Sequence, residues 1–499
     1  MSASSPVQFA VFILLTALIG LITWLQCRKA VRGADEVREQ FLAGGGLGWV
    51  FIAGSLTLTN ISTDTLVGWN GNQMLLVVCW ELAGVPGLIL LAKVFVPLYY
   101  KYNCTTVTEL LERRYDGNKH IRATVGAIFL LGNIGIFLPA MLYTSSLLMK
   151  SLFALDVPIT GIAAVIAVVG AAYSIGGGLR AVAVSDTWCG VLVFGMALLV
   201  AFLALQATGW SFSNVPPERL TILGGPDSVL PWPTLLTGMI FTQLYYWSTN
   251  QTITQRILAA PNIREAQKGA YGAAAIRLLL VPPMVIIPGL CAWQLFGHLG
   301  DATYGRIVAH VLPAWLSGAF AAAMFAAVMS SYNSTLNSAA ALYVCDLHQP
   351  YVNPSPQIAR LSTGLQVGFA LLSIALVPVY AGAESIIQLI QQLLGLFSMP
   401  ILAAFITGLL FRNVDARAVI ATLLFGAAFY AVLSFGWSAW HQADPARPAP
   451  PHFLHLMFVT LWTCVGFALA LNRVVFGRRA QFELGTREAW RTVFAVLRA

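Results

Sequence analysis

The chain has 499 residues, 58% of them hydrophobic and only 10% charged, with a mean hydropathy of +0.76. Soluble domains carry about 25% charged residues, so the composition excludes a soluble globular protein and points to one polytopic membrane unit. A net charge of +8 would suit a nucleic-acid binder, but the placement of that charge argues against the class.

Thirteen apolar stretches follow one another, near residues 9–27, 49–73, 75–100, 121–154, 158–178, 181–207, 231–256, 266–298, 317–345, 358–380, 384–411, 416–438 and 453–476. They are termed spans 1 to 13. Span 1 is longer than a signal h-region and lacks a small-residue cleavage pattern, so it reads as a retained span. With the N-terminus outside, all but six of the 28 Lys and Arg residues fall in or beside inside loops. Lys150, Arg219, Arg306 and Arg447 fall outside, and Lys93 and Arg277 lie within spans. This is the positive-inside asymmetry. It predicts an outside N-terminus, a cytoplasmic C-terminus and no nucleic-acid partner. The short loops suit a bacterial inner membrane.

The inside loops include 28–48 and 101–120, and the latter holds a short surface helix near Thr108–Arg114. The outside loop 209–230, rich in Pro and Gly, reads as a lid or spacer. A short basic tail, 477–499, follows span 13, with no catalytic or output domain after Val475. Seven scattered cysteines show no paired spacing, which argues against a disulfide framework or a metal knuckle.

Span 2 contains Gly54-Ser-Leu-Thr-Leu-Thr-Asn-Ile-Ser-Thr-Asp-Thr65. Hydrocarbon offers such groups no partner, so the run must face protein or a water-filled cavity. A second polar run, Phe241 to Arg256 in span 7, begins five spans later and therefore enters the membrane in the opposite direction. Broken helices in matching positions of two inverted halves point to a midplane site. Residues 49–207 then form a first five-helix repeat and 231–411 an inverted second. Residues 1–30 and 412–476 are peripheral helices.

Asp64, Glu81 and Asp186 are carboxylates within spans, functional candidates by default. Each has a structural alternative, and for Asp186 it is a gate-lining ion pair with nearby Arg180. Span 9 offers Met329-Ser-Ser-Tyr-Asn-Ser-Thr-Leu-Asn-Ser338. On spacing alone, helix packing is the first reading of that pattern. The alternative is that Ser330 and Ser331 face the carbonyls of the broken span 2 and cage a hard cation, which wants several oxygens. Arg277 lies about 16 Å along span 8 from its inside end, too far to snorkel. No nucleophile, base or His pair of ligand spacing is present, so an enzyme is not expected.

Asn60-Ile-Ser, Tyr173-Ser-Ile-Gly-Gly-Gly-Leu-Arg-Ala-Val with Asp186, Tyr245-Tyr-Trp-Ser-Thr-Asn-Gln-Thr-Ile-Thr-Gln-Arg-Ile-Leu-Ala-Ala, Ala266-Gln-Lys-Gly, and Met329-Ser-Ser with Leu336-Asn-Ser and Asp346 occur in this order. Together, over about residues 5–475, they resemble the sodium:solute symporter family, and the Tyr-Tyr-Trp segment resembles its sodium/glucose cotransporter branch. The resemblance implies an all-α polytopic LeuT-like fold with two inverted five-helix repeats, about thirteen transmembrane helices and alternating access. It implies a sodium site at the carbonyls of Leu58, Ile61 and Ala327 and the hydroxyls of Ser330 and Ser331. Asp186 matches a residue near a second cation position or the inner gate, while Asn333 stands where several relatives have a smaller residue.

By the same resemblance Glu81 and Gln391 are sugar contacts and Tyr246 is the aromatic gate beneath the sugar. Four positions depart from the galactose-type pattern: Thr65 for Gln, Gly84 for Ser, Gln243 for Asn and Arg277 for Lys. Arg for Lys is not a conservative change. Trp69, Trp80 and Ile387 resemble an outer hydrophobic gate, although the tryptophans also suit a lipid-interface belt.

The reading is therefore sodium-driven uptake of a polar organic solute, a sugar or polyol first. Alternatives are sodium- or proton-coupled uptake of a carboxylate, sialic acid or amino acid, and a transporter-like membrane sensor.

Overall fold

The computed structural model describes residues 6–27, 36–61, 63–153, 155–226, 228–380, 386–444 and 446–483. Among them, ten helices are long and apolar enough to cross a membrane, and they coincide with spans 1, 3, 4, 6 and 8–13. The remaining three stretches fail that test for physical reasons. Span 5 is a shorter apolar helix, Ile159–Ala172, and spans 2 and 7 are interrupted.

Span 2 is the helix Trp49–Asn60, then Ile61 in extended conformation, then the helix Thr63–Asn72. Ile61 N–H still reaches the Thr57 carbonyl at 3.1 Å, and Thr65 Oγ1 donates to the Asn60 carbonyl at 2.8 Å. The hydroxyl thus satisfies one carbonyl that the break sets free. Span 7 breaks between Ile240–Ser248 and Gln251–Leu258. There the Asn250 side chain caps the second helix by accepting from Thr252 N–H at 2.9 Å.

Span 8 runs along both halves of span 2, where small residues let the backbones approach. Gly269 abuts Ile52, and a Cβ on Gly289 would lie 2.7 Å from the Asn70 carbonyl. Asn70 completes the join, donating to the Met284 carbonyl at 3.1 Å and accepting from Gly289 N–H at 2.8 Å. Span 9 packs against spans 1 and 6 and against the inner half of span 2.

Inside loop 28–48 holds a helix, Glu36–Leu42, with Phe41 and Leu42 buried. The chain then turns through 102° before span 2, with Gly44 and Gly45 at φ +65° and +70°. Spans 5 and 6 belong to one hydrogen-bonded run, Ile159–Ala207, bent at Gly178 with φ 56° and ψ −160°. Only glycine adopts that conformation readily, and a Cβ there would sit 2.9 Å from the Gln40 carbonyl.

The helix expected in loop 101–120 is Val107–Arg114. Beyond span 13, Gln481–Phe482 pairs antiparallel with Phe411–Arg412; residues 484–499 lie outside the described residues. Cys79, Cys104, Cys189, Cys291, Cys345 and Cys464 are buried and form no disulfide.

Candidate ion and solute sites

The break in span 2 faces span 9. Ser331 Oγ donates to the Thr59 carbonyl at 3.0 Å, and Thr59 Oγ1 lies 3.3 Å from Ser334 Oγ. Leu58, Ile61, Ala327, Ser330 and Ser331 are all buried. Ser330 Oγ makes no hydrogen bond of ordinary geometry among the described residues. The Asp186 carboxylate lies beside that hydroxyl. The five expected sodium contacts therefore stand on the two elements that meet here. Packing and the expected ion contacts, alternatives in the sequence, share one surface.

Asp186 is fully buried but has no ion pair with Arg180, which reaches Glu39 at 3.8 Å and the Ala43 carbonyl at 2.8 Å. Six residues apart on one helix, the two side chains point about 120° apart around its axis. Asp186 instead accepts from Ser55 Oγ, and Ser55 Oγ accepts from Arg256 Nε at 2.8 Å. Arg256 is itself fully buried and donates to the Thr252 carbonyl and Ser334 Oγ. A buried carboxylate thus has its opposite charge one hydroxyl away, which offsets the desolvation of both ions. Sequence reasoning missed Arg256 as a partner because it reads as the inside end of span 7.

Further along span 2 a cavity lies among spans 2, 3, 4, 7, 8 and 11. Thr65, Trp69, Trp80 and Glu81 line one side, and Gln243, Tyr246, Arg277 and Gln391 the other. Eight expected positions, from spans 2, 3, 7, 8 and 11, thus meet in one place. Arg277 and Glu81, each about 97% buried, form an ion pair, and the guanidinium lies over the Trp247 ring, 4.5 Å from its centre. Trp247 Nε1 donates to Gln243 Oε1 at 2.9 Å, and Gln243 Nε2 donates to the Trp80 carbonyl at 2.9 Å.

Trp69 and Trp80 stack with ring centres 5.4 Å apart and are 8% and 6% exposed. They wall the cavity and do not form a lipid-interface belt. Gly84, expected as a solute contact, is not on the cavity wall; its α-carbon faces Trp247 and Arg277. The side chains of Asp64 and Ile387 lie outside the described residues.

The cavity also has residues that sequence reasoning did not assign. Asn60 Nδ2 donates to Tyr246 Oη at 3.0 Å. Its place in the polar run was the available signal. Phe137 and Met141 of span 4 and Ile390 and Leu394 of span 11 also line it. As apolar residues in apolar spans they carry no signal at all.

The sodium:solute symporter family model matches residues 40–426. The chain is 35% identical over 457 residues to the Escherichia coli K12 symporter YidK, covering 86% of this chain and 79% of that protein. It is 29% identical over 470 residues to a sodium/glucose cotransporter of Vibrio parahaemolyticus, covering 86% and 84%. In three dimensions it resembles a Na+-coupled sialic acid symporter in a substrate-bound outward-open state. The TM-score is 0.80 at 18% identity, over 96% of this chain and 99% of that one. Mhp1, a nucleobase-cation-symport transporter, gives a TM-score of 0.56 at 13% identity, over 87% and 95%. The fold is the all-α LeuT-like fold, sodium is the coupling ion, and the chain belongs to the sodium:solute symporter family.

Proposed function

We propose that this protein takes up a sugar or polyol by alternating access, driven by inward sodium flow. The observation that carries the reading is the convergence of Glu81, Gln243, Gln391 and Thr65 with the aromatic rings of Tyr246, Trp69 and Trp80 on one cavity. Carboxylate and amide groups accept from and donate to hydroxyls, and aromatic faces cover the apolar side of a ring. Sodium sits at the carbonyls of Leu58, Ile61 and Ala327 and the hydroxyls of Ser330 and Ser331. There it joins the two halves of span 2 to span 9. Because the coupling is reciprocal, sodium raises solute affinity and solute raises sodium affinity.

In this reading residues 49–207 and 231–411 act as the inverted repeats, and 1–30, 412–476 and 477–499 are peripheral. The N-terminus is outside a bacterial inner membrane and the C-terminus is cytoplasmic. Asp186 serves the inner gate, with Arg256 supplying the opposite charge that a second cation would otherwise bring. Trp69, Trp80 and Ile387 close the outer side.

The test is uptake into proteoliposomes and thermal stabilisation in detergent, over neutral sugars, polyols and sugar acids, with and without sodium. Uptake of a sugar or polyol only when sodium is present is the expected result. Uptake driven equally by a pH gradient in sodium-free buffer would transfer the reading to proton coupling. A carboxylate or sialic acid solute is the second reading, and the guanidinium of Arg277 in the cavity is what favours it.

A further inference from the structure

Gly84 lies on span 3, three residues after Glu81, so the two share a helix face. Arg277 crosses that face from span 8 to reach Glu81. A Cβ on Gly84 would lie 2.8 Å from Trp247 Nε1, 3.0 Å from Arg277 Cδ and 3.3 Å from Arg277 Nη1. One turn on, a Cβ on Gly87 would lie 3.0 Å from the Gln243 carbonyl and 3.1 Å from Trp247 Cδ1. The glycine pair is therefore the bed on which Trp247 rests, with the guanidinium of Arg277 above it. Any side chain at position 84 meets the rigid indole on one side and the guanidinium on the other.

The charge of the cavity follows from that contact. Glu81 and Arg277 are the ionisable acid and base on its wall, and they neutralise each other. An entering carboxylate would leave a net negative charge in a buried site or pull Arg277 away from Glu81. Either change is costly, because removing one partner of a buried pair strands the other. A hydroxyl adds no charge. Arg277 Nη2 is buried and makes no hydrogen bond among the described residues, so it is a donor beside the Glu81 acceptor, an arrangement that suits two neighbouring hydroxyls.

We propose that Gly84 determines the charge preference of the solute site. By lacking a side chain it lets Arg277 lie on Trp247 and neutralise Glu81, so the site takes a neutral polyhydroxy solute and rejects the corresponding acid. This rests on the sodium-driven uptake reading and narrows its solute class. Gly84 is a positioning residue, acting through Arg277.

The experiment has two arms. In the first, the wild-type protein is assayed by thermal shift with sodium and D-glucose, D-galactose, D-xylose or myo-inositol, and with sodium and D-glucuronate, D-galacturonate or N-acetylneuraminate. Stabilisation by a neutral member alone is expected. Stabilisation by an acid, or by no neutral member, overturns the proposal. Absence of any sodium-induced shift removes the uptake reading instead. In the second arm Gly84→Ala is compared with Gly84→Ala/Arg277→Lys. The single variant should bind the neutral solute about 10-fold or more weakly, and the slimmer lysine should recover at least about 3-fold of that loss. If Gly84→Ala does not fold, recovery of folding in the double variant reads the same contact. A Gly84→Ala protein with wild-type affinity, or a double variant no better than the single, overturns the proposal.

Discussion

Asn60 and Tyr246 meet across the two inverted halves: the amide that ends the first helix of span 2 donates to the phenol just before the break in span 7, at 3.0 Å. The two helix breaks are thereby joined by one hydrogen bond on the cavity wall. The same stretch of span 2 is held from span 9 by Ser331, through the Thr59 carbonyl at 3.0 Å. Adjacent residues thus hold the contact on the cavity wall and the contact to span 9, and in the proposed reading they link the solute and ion sites.

Removing that phenol isolates the link. Tyr246→Phe leaves Asn60 without its acceptor while keeping the aromatic face. A net loss of about 1 kcal/mol, or roughly 5-fold in solute affinity, is expected. Isothermal titration with the transported solute in saturating sodium measures it, and an unchanged affinity would assign Tyr246 a wall role only.

Ser331→Ala removes both a proposed sodium ligand and the bond to Thr59. The sodium concentration for half-maximal stabilisation should rise by about 10-fold, equal to roughly 1.4 kcal/mol. Sodium titration followed by thermal shift reads this directly. A wild-type titration curve in a folded variant would remove Ser331 from the ion site.

Where the start of span 4 meets the end of span 9, Arg122 contacts three carboxylates: Asp346 at 2.8 Å, Glu109 at 2.6 Å and Glu112 at 3.0 Å. Asp346 is fully buried and also accepts from Thr106 and Thr108. Arg122→Ala strands these charges and should destabilise the protein by about 3–5 kcal/mol. Burial already pushes the Glu109 carboxyl above its usual range, so mild acidification should relieve part of the loss. Thermal unfolding of both proteins at two pH values tests the prediction, and a loss no larger than that of an exposed-arginine control would refute it.

His452 caps span 13 outside the membrane, its Nδ1 accepting from Leu454 N–H at 3.3 Å while Nε2 faces the Val229 carbonyl at 3.1 Å. Burial lowers its pKa below 6.5, against the pull of that carbonyl. With the folded value depressed, the unfolded chain binds the proton more readily. The contribution of this group is present above about pH 6.5 and is lost as pH falls toward the folded value. Asn also caps helices and does not titrate. His452→Asn should therefore flatten the fall in Tm between about pH 7.5 and 5.5. Parallel Tm profiles for the two proteins would show that His452 does not contribute.

Much of the solute site was legible because polar groups in hydrocarbon must have a reason. Glu81, Arg277, Gln243 and the run around Asn60 announced themselves in that way. Phe137, Met141, Ile390 and Leu394 did not, since apolar residues in apolar spans look alike whether they face lipid, protein or solute. Gly84 was expected on the cavity wall and instead packs against Trp247 and Arg277. A glycine in the sequence shows that a side chain is missing, but not which neighbour needs the space.

The sequence by itself determined the membrane class, the orientation expected from its basic residues, the two interrupted spans and hence the inverted relation between the halves. These follow from local chemistry: hydropathy, charge and the intolerance of hydrocarbon for unpaired polar groups. Only the tertiary structure decided the pairing of charges. Asp186 meets Ser55 and, through it, Arg256 rather than Arg180, because a six-residue step turns Arg180 to another side of the same helix and span 7 delivers a guanidinium from 70 positions along the sequence. Likewise Arg277 reaches Glu81 across Gly84 because spans 3 and 8 pack side by side. Coulomb attraction between buried groups depends on separation in space, and separation along the chain sets no limit on it.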